Sequence, residues 1–156
     1  ELEESKSRLI EFGRYAESNS KRKHGRKPET FDFLGFTFYC GKGRKTGNFC
    51  VKLKTNRKKF SMKLKQTKEW LYQNNDLPVK ELIAKLNKKL VGHYRYYGVS
   101  HNMNKLSSFL HYVQRYLFKV LNRRSHKKSY LWNGYIDMLK VYPSAQPKIY
   151  VRLFEK

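Results

Sequence analysis

The chain has 156 residues, with 35 Lys and Arg against 12 Asp and Glu, a formal charge of +23 and a pI of about 10.1. A chain of this length buries roughly 68–70% of its unfolded surface, enough for one compact body with an appendage, and such self-repulsion calls for a polyanion to offset it. No apolar run of about 18 residues and no N-terminal h-region is present, so a membrane span and a secretory leader are set aside, and nucleic acid in the cytoplasm is the expected partner.

The distribution of charge says more than its total. Residues 33–68 contain no Asp or Glu, and neither do residues 82–136. Acid is kept off particular surfaces, which are therefore expected to face phosphate.

The first third reads as β structure. "SRLIEF" is a short apolar segment, and "GRYAESNSKRKHGRKPET" reads as a polar, basic loop. "FDFLGFTFYC" and "NFCVKLK" are strands joined by the glycine-studded "GKGRKTGN" as an antiparallel hairpin, with Gly35 marking a bulge or a close backbone approach. After Thr55-Asn56 the period becomes helical, with Phe60, Leu64, Thr67 and Leu71 on one side and "QNND" ending the run. A second helix opens at Pro78, carries Val79, Leu82, Ile83, Leu86, Leu90, Tyr94 and Tyr97 on one stripe, and stops at Gly98. A third spans about Asn104 to Arg124, with Leu106, Phe109, Leu110, Val113, Leu117 and Val120 inward. A short helix in "SYLWNGYIDMLKVY" precedes an extended, proline-bearing tail. The fold class is therefore α+β: a small antiparallel hairpin region, a three-helix bundle and a short C-terminal helix.

Catalytic chemistry finds little to work with. Asp32, Asp76 and Asp137 are scattered over a hairpin, a turn and a late helix, so no carboxylate set for two-metal chemistry is visible. The five histidines form no metal-ligand ladder, and Cys40 and Cys50 read as reduced packing residues. No catalytic and no metal residue is assigned.

Binding residues are easier to find. In "GHYRYYG", His93, Tyr94 and Tyr97 fall beside the leucine stripe, whereas Arg95 points nearly the opposite way and Tyr96 lies at the flank, positions from which they are expected to meet a phosphate or a base. Gly92 is either a tolerated, costly residue or a point where another backbone passes close. Arg115 and Lys119 oppose the third helix's apolar stripe, with Arg123 continuing the row and Arg124, Lys127 and Lys128 following. Residues 52–68 hold eight basic side chains, among them Arg57, Lys58, Lys59 and Lys63, which suit phosphate contacts without sequence readout.

In order along the chain, "KSRLIEFG", "FDFLGF", "LNKKLVGHYRYYGV", "LNRRS" and "WNGYIDMLKVYPSAQPKIY" resemble the C-terminal part of a bacterial group II intron-encoded reverse transcriptase/maturase. The resemblance implies that residues 1–54 are the last palm strands, 55–142 the helical thumb or maturase-specific X domain, and 143–156 an extended tail. It implies group II intron RNA, an RNA template/DNA primer duplex and the remainder of the palm as partners. It also adds Lys6 and Arg8, the strand around Phe33-Leu34-Gly35-Phe36, and His93, Tyr96, Tyr97 and Gly98 as family positions. "PSAQPKI" departs from the family's P-L-P-x-P-R-I, and Y-A-D-D is missing. Mg2+ is therefore expected only at palm carboxylates outside this chain, which begins at Glu1 and reads as a fragment or a truncated frame. The expected role is an RNA-binding thumb/maturase domain, catalytically silent alone. Its alternatives are one part of a split RNA-directed DNA polymerase or a non-specific structural RNA-binding protein.

Overall fold

The computed structural model describes residues 8–43, 46–124 and 129–153. The chain divides into two compact units, Glu1–Asn56 and Arg57–Lys156. Its class is α+β, with five helices and one three-stranded sheet among the described residues.

The N-terminal unit departs from the sequence reading in three places. Residues 8–12 form no strand; instead Phe12 sets its ring edge-on against Phe31, centroids 5.1 Å apart. The expected loop contains helix α1, Ala16–His24. Only Ala16 of this helix is buried, so no apolar stripe announces it. Its ends hold it: Ala16 N–H donates to Gly13 O, and Gly25, at φ 62°, donates its N–H to Lys21 O at 3.0 Å. Lys21, Arg22, Lys23 and His24 crowd the last turn, where cations complement the helix dipole.

The third departure is a turn in place of a bulge. "FDFLGFTFYC" is two strands, β1 (Phe31–Phe33) and β2 (Phe36–Lys42), and β2 pairs in turn with β3 (Phe49–Thr55), all antiparallel in the order β1-β2-β3. Phe33 pairs with Phe36 across Leu34-Gly35, and both turn residues have positive φ, 47° and 80°. That is the dihedral signature of a type I′ turn, whose twist matches the strands. Leucine is a poor occupant of the left-handed region, so the sequence carried no Asn-Gly signal to reveal the turn. Phe31 and Phe38, opposite each other in register, stack at 5.0 Å with rings 3° from parallel.

The C-terminal unit is built on helices α2 (Arg57–Gln73), α3 (Val79–Tyr97), α4 (Met103–Asn122) and α5 (Trp132–Val141). The stripes read from the sequence converge on one core. Leu64 and Leu71 of α2, Leu82, Ile83, Leu86, Leu90 and Tyr94 of α3, seven residues of α4 from Leu106 to Leu121, and Tyr135 and Met138 of α5 are buried together. Phe60 meets Phe109 and Tyr72 meets Arg123, so α2 and α4 run in the same direction. Lys89 lies over Trp70 while His93 stacks on Phe109, so α3 runs opposite to both. The topology is up-down-up.

Two asparagines fasten the chain outside the helices in the same way. Asn87 of α3 donates its amide to Pro143 O (2.9 Å) and accepts from Ala145 N–H (2.7 Å). Asn122, the last residue of α4, donates to Tyr130 O (3.0 Å) and accepts from Tyr130 N–H (2.7 Å). The expected extended tail is present after α5, but it is tied down. Beyond the Asn87 clasp, Tyr94 Oη donates to Ala145 O (3.1 Å), and Tyr150 and Val151 both donate their N–H groups to Gly98 O. Ser100 Oγ accepts from Leu153 N–H at 3.0 Å.

The turn yields a test. Leu34→Asn gives the left-handed position a residue that tolerates it, and it should stabilise the N-terminal unit by about 1 kcal/mol. Denaturant unfolding of the chain would register this as a higher midpoint for the β-sheet signal, and a lower midpoint would contradict the turn assignment.

Candidate nucleic-acid interface

The sequence-predicted binding residues fall in both units, and those of the helical unit form two groups at opposite ends of the bundle. At the first end, the start of α2 supplies Arg57, Lys58, Lys59 and Lys63, all exposed, and the last turns of α3 bring Arg95 and Tyr96. The antiparallel course of α3 makes them neighbours: Lys63 is close enough to His93 to act on its charge. Tyr96 is 57% exposed and packs edge-on against Tyr97 at 4.7 Å.

At the second end, Arg115 and Lys119 project from the exposed side of α4. Arg123 does not simply extend their row. It is the C-cap of α4, and its guanidinium lies over the Tyr72 ring at 5.3 Å. Lys68 covers the same ring at 5.9 Å and Tyr116 at 5.8 Å, so two cations and two tyrosines interleave along the α2–α4 seam. The sequence reading missed the tyrosines, which carry no charge to draw attention; a wheel of each helix shows them flanking the apolar stripe. Arg124 turns inward, with Nε and Nη2 buried and unpartnered among the described residues, and burial holds its pKa below the ordinary arginine value. Arg8 lies in the N-terminal unit, paired with Glu29. Lys6, Lys127 and Lys128 lie outside the described residues.

The cations stay available because acids are elsewhere. Lys85 pairs with Glu81 and Lys140 with Asp137, both at 2.7 Å, and Lys65 reaches Glu69 at 3.9 Å. Arg57, Lys63, Arg95, Arg115 and Lys119 have no ion-pair partner among the described residues. Exposed cations of this kind gain little from folding and much from a phosphate chain that releases counterions.

"GHYRYYG" divides as its helical wheel implies. His93 is 5% exposed, its ring stacked on Phe109 with centroids 3.9 Å apart and planes 16° from parallel. Neither ring nitrogen has a hydrogen-bond partner among the described residues. Burial, and secondarily the Lys63 cation, push its pKa down to about 4, so it is neutral at physiological pH. Tyr94 is fully buried and its hydroxyl is pushed well above its ordinary value by burial. Gly98 is fixed by crowding: a Cβ there would lie 2.2 Å from Tyr94 O and 2.5 Å from Lys148 O. Gly92 is the reverse case, with nothing within 4 Å of the added atom.

No three His, Cys, Asp or Glu side chains converge to hold a metal among the described residues. Among the described residues no helix is long and apolar enough to cross a membrane.

An up-down-up bundle with a cationic, acid-poor exterior defines a helical domain suited to a polyanion. The chain belongs to the group II intron, maturase-specific domain family, whose profile matches residues 57–135, just over half of its length. No curated protein and no solved structure matches it at a significant level.

Two measurements test this site. Unfolded His93 takes up a proton as pH falls through 6.5, whereas the folded residue resists until about 4; stability is therefore full above pH 6.5 and drops toward pH 4, by about 3 kcal/mol from this group. His93→Phe keeps the stack and should flatten that part of the pH–stability curve; an unaltered slope would refute the assignment. Gly98→Ala should cost about 2 kcal/mol or more, because the obstructing atoms are backbone, and an unchanged melting temperature would show that neither the Tyr94 carbonyl nor the tail crowds this position.

Proposed function

We propose that this chain is the RNA-gripping maturase domain of a group II intron-encoded protein, binding its intron RNA to assist splicing and, with a polymerase palm, holding the RNA template/DNA primer duplex. The observation that carries this reading is the coincidence of the family match with unpaired cations on three helices of the same segment. Arg57, Lys58, Lys59, Lys63, Arg95, Arg115, Lys119 and Arg123 serve as phosphate contacts, and Tyr96 offers a face to an unstacked base. Binding of this kind is strong and salt-sensitive, and fold-level RNA shape, not base identity, directs it. The chain itself carries out no chemistry; Mg2+ and the polymerase carboxylates belong to the palm.

The N-terminal unit supports a second element of the proposal. Edge strand β1 and the turn that follows it leave Phe33 59% and Leu34 68% exposed, surface of the sort that another β body covers. A palm is the body implied by the family. Primer extension that requires both this chain and a separately supplied palm would support the split-enzyme form; extension by the palm alone at full rate would exclude it.

The principal test is Arg115→Gln/Lys119→Gln/Arg123→Gln in one chain. Affinity for a transcribed group II intron RNA should fall, and the slope of log affinity against log salt should lose about three units, one per phosphate contact, with helical circular dichroism unchanged. Equal affinity and slope in parent and variant would remove this surface from the interface. A parent whose affinity is flat in salt would defeat the reading altogether.

A further inference from the structure

The two glycines of "GHYRYYG" have opposite surroundings. Gly98 is glycine because the Tyr94 carbonyl of α3 and the tail at Lys148 together leave no room for a side chain. Gly92 lies inside α3, exposed, with open space where its Cβ would be, and its helical position needs no left-handed φ. A helix interior disfavours glycine relative to alanine, so nothing within the fold accounts for this residue.

What surrounds Gly92 is charge. At helical spacing, Lys88 and Lys89 lie one turn before it and Arg95 and Tyr96 one turn after it, all four exposed. Lys89 is held over Trp70 at 4.9 Å. Lys88 and Arg95 have no partner among the described residues, and the Glu81–Lys85 pair closes the face toward the start of the helix. Lys88 and Arg95 are about 10 Å apart along the helix axis, with the bare backbone of Gly92 between them.

We propose that Gly92 is the point of closest approach of an RNA strand to α3: a ribose-phosphate backbone crosses the helix at the gap left by the missing side chain, with one phosphate drawn by Lys88 and the next by Arg95. The exposed ring of Tyr96 borders the same crossing. Glycine's part is steric, letting the strand come near enough for both cations to reach it, as glycines do where a phosphate chain must pass close to a protein backbone. Gly134 of α5 is the internal contrast. It too has nothing within 4 Å of an added Cβ, but its helical neighbours include Asp137 and no cation one turn away, so it has no phosphate to admit.

This inference rests on the RNA-binding reading above, and the test separates the two. Four variants of the full chain, Gly92→Ala, Gly134→Ala, Lys88→Gln/Arg95→Gln and the triple glutamine variant already described, are compared with the parent for melting temperature and for affinity to a transcribed group II intron RNA. Gly92→Ala should melt higher than the parent, because alanine favours the helix and meets no atom, yet bind RNA about tenfold more weakly, the loss of one charge-assisted contact. Gly134→Ala should bind as the parent does. Lys88→Gln/Arg95→Gln should lower the salt slope by about two units. A Gly92→Ala chain that binds as tightly as the parent, or that melts lower, overturns the crossing point. If it binds equally while the triple variant is weakened, only this inference falls; if the parent binds no RNA, the functional reading falls with it.

Discussion

The C-terminal unit stands on the burial of three leucine-rich stripes against one another, in the face of helices that all carry positive charge outward. The comparison of magnitudes is one-sided. A fully buried leucine contributes about 1.5–3 kcal/mol, and more than a dozen core side chains of α2, α3, α4 and α5 meet in one cluster. Two exposed cations about 10 Å apart repel by roughly 0.4 kcal/mol in water before salt reduces it. The core can therefore tolerate a surface with long acid-free stretches, which is the condition for offering that surface to phosphate.

That core also explains the unusual state of His93. Its ring occupies an aromatic position against Phe109, and its two nitrogens are left without partners among the described residues. A group so placed behaves as a flat apolar ring at neutral pH and as a liability in acid. The neighbouring residues of the same turn, Arg95 and Tyr96, face the other way. One helical turn thus serves the interior and the exterior at once, with the 100° step between residues doing the sorting.

Much of this was legible in the sequence where period and punctuation agreed. α3 begins after Pro78 and ends before Gly98 as their chemistry dictates, and the inward residues of α4 follow its wheel. What escaped was decided at long range or by local geometry with an atypical residue. α1 buries a single alanine and is held by its termini; the Leu34-Gly35 turn lacks the usual asparagine. The clasp of Asn87 on Pro143 and Ala145 joins residues more than fifty positions apart, and no periodicity reports such a pairing. For the candidate interface, outward cations could be read from each helix singly. Their grouping at two ends of the bundle, and the folding of Arg123 onto Tyr72, required the direction of each helix.

The tail has an electrical consequence beyond its packing. A helix C-terminus presents carbonyl oxygens and a partial negative charge that would oppose an approaching polyanion. At the end of α3, Tyr97 O accepts from Val99 N–H and from Asn102 Nδ2, and Gly98 O accepts from Tyr150 and Val151. Donors from the residues just after the helix and from the tail at Tyr150 and Val151 thus engage the negative pole just beyond Arg95, so that less of it opposes a polyanion drawn to that guanidinium.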